Sequence, residues 1–431
     1  MQGASFCMQD AGISVDFRGR SGNNRSISMQ PVPAPAPPPS GTRLLVILFF
    51  TWGSVFLCRM SQLYLAPFIA PELHLDNRQI GLLASVLAVA WAVSGLFFGF
   101  VSDRIGRRRV LVPAVLVFSA LSWCSGLAHS FGQLLVIRAL MGIAQGPCWA
   151  VITALVEESS PPGKRGRNVG FVVSAGALVG LAVAPVLTTQ IAARFDWRLA
   201  FFAAGLPGFV LAFLLNKYVK EPIRPEAGHG RIDPGGILRI LRYRNMWLSC
   251  LGAAGFISWL LMQNIFAPLY ITEVAHQPAT AAGLLLGATG LGSFVLGLFL
   301  PALSDRFGRK PILALMAILS FLVPVALLTP SLYTHLWLLA GILFVTNASQ
   351  GIPSLVMVLI PTESVPARYA ATSIGLAAFT GELLGAAIAP AVGGALAVHY
   401  GLSIPIWMSA GGACLVLAVS AAIRETVRRS G

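Results

Sequence analysis

Residues 99–111 read GFVSDRIGRRRVL, and residues 301–313 read PALSDRFGRKPIL. Both carry Ser-Asp-Arg, a glycine and two basic residues, and Asp103 and Asp305 lie 202 residues apart. Each stretch separates two long apolar runs. The repetition extends well beyond it. QLYLAPFIAPEL at 62–73 matches QNIFAPLYITEV at 263–274, pairing Gln62 with Gln263, Pro67 with Pro268 and Glu72 with Glu273. Gln145, Glu158, Gly170, Gly176, Gly180 and Pro185 match Gln350, Glu363, Gly375, Gly381, Gly385 and Pro390, each pair 205 residues apart. A period near 200 is too long for a solenoid. It describes a chain built as two related halves.

Only 11% of the residues are charged, 56% are apolar and the mean hydropathy is +0.77; a soluble domain carries roughly 25% charged residues. No soluble fold buries that much apolar surface. This excludes a cytosolic enzyme, a disordered chain and a nucleic-acid-binding domain. A membrane-crossing helix needs about 20 apolar residues. Twelve such runs follow one another at 44–69, 79–101, 110–128, 134–156, 168–193, 198–217, 246–270, 281–301, 312–329, 336–360, 371–398 and 403–423. They predict an all-α integral membrane protein of twelve transmembrane helices in two pseudo-symmetric six-helix bundles, 44–217 and 246–423. A polar linker at 218–245 joins them, and 424–431 form a tail. Residues 1–43 are polar and end in PVPAPAPPPSGTR, the composition of a disordered, Pro-rich leader. Met29, just before the proline run, is a candidate second start, and an intact Met1 peptide in mass spectrometry dismisses it. The six cysteines lack metal-ligand spacing, so neither a metal, a disulfide nor a cofactor is expected.

The net charge of +14 is a matter of sidedness. One set of loops holds Arg104, Arg107, Arg108, Arg109, Lys164, Arg165, Arg167, Arg306, Arg309, Lys310 and Arg368, together with the basic termini and linker. The opposite set holds only Arg78, Arg194 and Arg198. By the positive-inside rule, both termini are expected in the cytoplasm, and no nucleic-acid partner is implied.

With these residues in view, GFVSDRIGRRRVL resembles the loop between helices 2 and 3 of the major facilitator superfamily, roughly G-x-x-x-D-R-x-G-R-[KR]. The second copy has Pro301 for the first glycine. Arg138 and Gly142, the Glu-x-x-Pro segments at Glu158 and Glu363, and WRLAF at 197–201 also match. The resemblance covers about 44–423. It implies alternating access, with the substrate site between the halves. It also implies that Gly99, Asp103, Arg104, Gly106, Arg107, Asp305, Arg306, Gly308 and Arg309 form the gate and scaffold of the cytoplasmic side.

Ionisable residues inside the membrane are costly and usually functional. Away from the ends of the runs three stand inside: Arg59, Arg138 and Glu382. Arg59 cannot deprotonate and needs an anion, either a ligand or a protein carboxylate such as Glu382. Arg138 is a candidate for substrate contact or helix packing. Glu382, whose repeat counterpart is Ala177, is a candidate proton carrier, a neutral structural carboxyl or a partner of Arg59. Gln62, Tyr64, Gln145, Gln263, Asn264, Asn347 and Gln350 are candidate cavity polar groups, with interhelical bonding the alternative. Trp91, Trp149 and Trp259 are either pocket walls or packing. No histidine lies within a run: His74, His129, His276, His335 and His399 fall in outer loops and His229 in the linker.

The helix-1 arginine, the A-P-x-I-x-x-E-L stretch at 66–73 and Q-x-G-L-L at 79–83 resemble the anion:cation symporter branch of the superfamily. That resemblance implies a secondary active transporter moving a small organic anion, such as a sugar acid or aromatic acid, with protons. It is expected as a monomer in a bacterial inner membrane. Two departures stand out. The branch often has Asp where Cys58 stands and Glu where Gln145 stands. Either Glu382 has taken over coupling, or the protein is uncoupled, or the substrate anion carries the proton. A drug/proton antiporter is the alternative, although GALVGLAVAPVL lacks the glycine pair that such proteins carry around the helix-5 proline. A membrane enzyme would need a nucleophile–base or metal set inside the bilayer, and the runs hold no histidine to supply one.

Overall fold

The computed structural model describes residues 41–219, 239–348, 351–366 and 369–426. The leader up to residue 40, most of the linker, the end of the tail and Gln350 lie outside the described residues. Among those described, twelve helices are long and apolar enough to cross a membrane. They are α1 (Gly41–Glu72), α2 (Asn77–Ile105), α3 (Arg107–Gly126), α4 (Phe131–Ser159), α5 (Arg165–Arg194) and α6 (Trp197–Tyr218), then α7 (Arg244–Val274), α8 (Ala279–Phe307), α9 (Arg309–Leu327), α10 (Leu336–Ser364), α11 (Thr372–Tyr400) and α12 (Ser403–Ala422). A helix satisfies its backbone N–H and C=O groups within one segment, as lipid demands.

Several helices outrun their apolar cores because side chains cap them. Asp76 accepts from the Gln79 N–H at 2.7 Å while Gln79 accepts from the Asp76 N–H at 3.0 Å, a reciprocal cap for α2. Ser130 and Asp196 cap α4 and α6. At the other end, one residue separates α2 from α3 and one separates α8 from α9. These are the motif glycines, Gly106 and Gly308, with φ of 109° and 103°. Side chains rarely adopt that backbone region, which accounts for both glycines.

The packing repeats as the sequence does. In the first half, α1 packs on α5 and α6, α2 on α4, and α3 on α6; in the second half α7 packs on α11 and α12, α8 on α10, and α9 on α12. The halves meet along α2–α11 and its symmetry equivalent α8–α5, with α1 crossing α7 between them. Lipid tails supply no hydrophobic drive between helices, so close approach at small residues does the work. A Cβ on Gly81 would lie 2.3 Å from the Pro390 carbonyl oxygen, and one on Gly290 would lie 2.1 Å from the Leu181 carbonyl. These contacts lie toward the end of the bundle remote from the motif loops.

Two features depart from the expected regular helices. Residues Gly176–Val183 of α5 and Gly381–Ile388 of α11 form π-helical turns at positions 205 apart. Pro185 and Pro390 follow them; neither can donate to the carbonyl four residues earlier, so the preceding turn widens. The tenth run, expected to be continuous over 336–360, is interrupted. Its first part ends at Thr346, Asn347 leaves helical geometry with ψ of 82°, and the described chain from Gly351 is helical. Pro353 offers no N–H to the turn before it. His399, expected in a loop, sits in the last turn of α11.

Gly290→Val should force α5 and α8 apart and cost about 1–3 kcal/mol of overpacking. Gly375, with open space around its Cβ position inside a helix, is the control: Gly375→Ala should hold or raise the thermal unfolding temperature in detergent, while Gly290→Val lowers it.

Candidate functional site

The candidate site is built on one face of α1, where Val55, Arg59 and Gln62 recur at helical spacing. The Arg59 side chain is 7% exposed, and its Nη2 lies 3.0 Å from Oε2 of Glu382. Its guanidinium also rests 4.5 Å from the centre of the Trp91 ring on α2, a cation–π contact worth about 0.5–2 kcal/mol. Glu382 is the second residue of the π-helical turn in α11. The pair therefore joins the two halves.

Arg138 on α4 is 1% exposed. Its Nη1 donates to the Cys58 carbonyl at 3.4 Å and lies 3.4 Å from the Met141 sulfur. The guanidinium lies 5.6 Å from the Phe201 ring centre. Nε and Nη2 of Arg138 have no hydrogen-bond partner among the described residues. Arg59, Arg138 and Gln62, with Leu63, Leu83, Ala84, Leu87 and Leu261, enclose a cavity of about 20 Å³. That is room for about one water molecule. Two guanidinium groups thus border one small space, against the single carboxylate of Glu382.

The other candidate polar groups divide. The Tyr64 hydroxyl donates to Asn264 Oδ1 at 2.7 Å, and Asn264 donates to the Leu260 carbonyl at 2.7 Å. These two residues tie α1 to α7, a second polar bond between the halves. Gln145 donates to the Val55 carbonyl at 3.2 Å and leaves its Oε1 unpartnered; buried Gln263 also leaves its Oε1 unpartnered. Asn347 is buried at the break in α10. None of Tyr64, Gln145, Gln263, Asn264 and Asn347 lines the cavity. Cys58, at the position where the branch often has Asp, is buried and turns its sulfur to the Ala204 carbonyl on α6 at 3.4 Å. Of the three tryptophans, Trp91 is the seat of Arg59. Trp149 packs at a tilt against Trp52, and Trp259 donates to the Ser320 carbonyl at 2.9 Å, both in packing roles. Leu83, Leu87 and Leu261 went unnoticed in the sequence because apolar wall residues look like any other apolar residue in a membrane helix.

At the motif end, the ion pairs stay within each half. Arg107 meets Glu158 at 2.7 Å in the first half. Arg309, 7% exposed, meets Glu363 at 2.8 Å and Asp305 at 2.5 Å in the second, and donates to Ser304 at 2.6 Å. Arg104 and Arg306 are exposed. Gly99 and Asp103 lie in α2, and the Asp103 side chain is outside the described set. Among the described residues, Arg107 and Arg309 of the expected gate each brace their own half. One participant was not foreseen: Glu425, beyond α12, accepts from the N–H groups of Arg309 and Lys310 at 2.9 and 3.1 Å, at the start of α9. Its place in the basic tail concealed it, because only the turn after α12 brings it to α9.

The family described as Major Facilitator Superfamily matches residues 46–386. A probable 4-methylmuconolactone transporter of Cupriavidus pinatubonensis is 30% identical over 79% of this chain and 80% of its own. A cis,cis-muconate transport protein of Acinetobacter baylyi is 30% identical over 76% and 81%. The multidrug resistance protein MdtG of Yersinia enterocolitica is 27% identical over 80% and 87%. Among solved structures, a bacterial homologue of the human lysosomal transporter Spinster shares the fold with a TM-score of 0.68. It is 20% identical, over 89% of this chain and 95% of its own.

Glu382→Ala should leave Arg59 a buried unpaired cation and cost about 3–5 kcal/mol. The double variant with Arg59→Met should recover most of that loss in thermal unfolding. Glu425→Gln, which removes the charge at the start of α9, should cost about 0.3–1 kcal/mol.

Proposed function

The chain belongs to the Major Facilitator Superfamily and is a membrane transporter, not an enzyme; from that premise we propose that it moves a small organic anion, a carboxylate, coupled to protons. The Arg59–Glu382 pair beside Arg138 carries this reading. An incoming carboxylate has two guanidinium groups to meet and one protein carboxylate to displace. Arg59 takes the substrate carboxylate, and the unused Nε and Nη2 of Arg138 supply further donors. Binding breaks the Arg59–Glu382 bridge between the halves, and the released Glu382 takes a proton. Coupling follows because neither an unpaired guanidinium nor an unpaired carboxylate is tolerated in the apolar interior. The cavity of about 20 Å³ is too small for an organic acid, so binding requires α1 and α11 to separate. The relatives named for muconate and methylmuconolactone transport support the substrate class.

In this reading 44–217 and 246–423 are the two bodies that rock, in a bacterial inner membrane, and the charge asymmetry supports motif loops and both termini on the cytoplasmic side. The likeness to a multidrug resistance protein favours a second reading, drug/proton antiport. Net positive charge at the cavity separates the two, because it repels the lipophilic cations that such proteins export.

A thermal-shift screen of the purified protein against organic acids and their neutral analogues tests the proposal. Stabilisation by acids alone, lost in Arg59→Ala, is expected; stabilisation by lipophilic cations instead overturns the anion reading. In proteoliposomes, Arg59→Ala should abolish uptake. Glu382→Gln should retain exchange of internal for external substrate and lose proton-driven accumulation. Unchanged accumulation in Glu382→Gln would remove Glu382 from the coupling step.

A further inference from the structure

On the outer flank of the first half, α2, α3 and α4 leave a groove of about 350 Å³. Phe98, Val101, Val117, Leu121, Leu140 and Ile143 are among its apolar walls, and Arg109 stands at its motif end. A second hollow of about 540 Å³ shares Arg109 with it and adds Arg108 and Asn216. Arg109 is exposed and has no hydrogen-bond or ion-pair partner among the described residues. Arg108 is held in place by two bonds to Asn216 Oδ1, at 3.1 and 2.6 Å. The groove is therefore apolar along its length and cationic at one end.

Its dimensions suit a lipid. From Arg109 to Leu121, α3 climbs about 18 Å at 1.5 Å per residue. One leaflet of a hydrocarbon core about 30 Å thick is about 15 Å deep. The repeat supplies an internal comparison. At the equivalent positions of the second half, Arg109 is replaced by Pro311, and Lys310, in place of Arg108, spends its ammonium on the Ala421 carbonyl at 2.7 Å. The paired guanidinium ledge belongs to the first half alone, so helix packing common to both halves does not explain it.

We propose that this groove binds an anionic phospholipid, with its phosphate on Arg109 and Arg108 and one acyl chain along α3 between α2 and α4. The ledge favours an anionic headgroup over a zwitterionic one, whose own cation would sit beside two arginines. A free phosphate could use the arginines but not the apolar groove.

The test uses the full chain purified from mixed micelles of equal phosphatidylglycerol and phosphatidylcholine, with the retained lipid quantified by mass spectrometry. Phosphatidylglycerol should be enriched over phosphatidylcholine in the wild type. R109Q should lower that enrichment about five-fold, the ratio that one surface arginine gives. V117W keeps both arginines but fills the groove, and should lower the total phospholipid retained. Glycerol phosphate at the same concentration should not displace the lipid. Equal retention of the two lipids by the wild type, undiminished enrichment in R109Q, or displacement by glycerol phosphate would each overturn the proposal. The wild-type ratio decides even if a variant fails to fold.

Discussion

An arginine in the middle of an apolar helix has to find an anion, because it cannot shed its proton and lipid offers it nothing. Arg59 meets that demand across the interface between the halves, on Glu382, with the Trp91 ring beneath it. Much of the centre of the molecule is arranged around this pair. It ties α1 to the π-helical turn of α11. Buried ion pairs contribute little net stability when intact and are costly to break on one side only. A contact of that kind is well suited to exchange one anion for another.

Around this centre the two ends of the bundle are held differently. Remote from the motif loops, glycines on α2 and α8 let backbone meet backbone on α11 and α5. At the motif end the charged residues satisfy one another inside each half, Arg107 with Glu158 and Arg309 with Glu363.

The repeat is kept in architecture and abandoned in chemistry. Helix pairings, motif glycines and the π-helical turns of α5 and α11 recur at equivalent positions. Glu382 faces Ala177 across the pseudo-symmetry, and the break in α10 has no counterpart in α4. Packing constraints act on both halves alike, so they preserve the duplicated pattern.

Length, charge sparsity and repetition were enough to read the twelve helices, the two halves and the shortlist of Arg59, Arg138 and Glu382, because lipid forbids unpaired charge and shorter spans. The π-helical turns were out of reach: Gly176 and Pro185 are equally compatible with an ordinary kinked helix. So was the choice among partners for Arg59, since ligand and Glu382 satisfy the same electrostatic need. Tyr64 and Asn264 read equally as cavity groups or interhelical bonds, and they bond each other across the halves; Glu425 read as tail and turns out to cap α9. Periodicity and composition report what each helix faces on average. Which residue meets which, across 323 positions of chain for Arg59 and Glu382, depends on how the helices cross, and only their packing sets that.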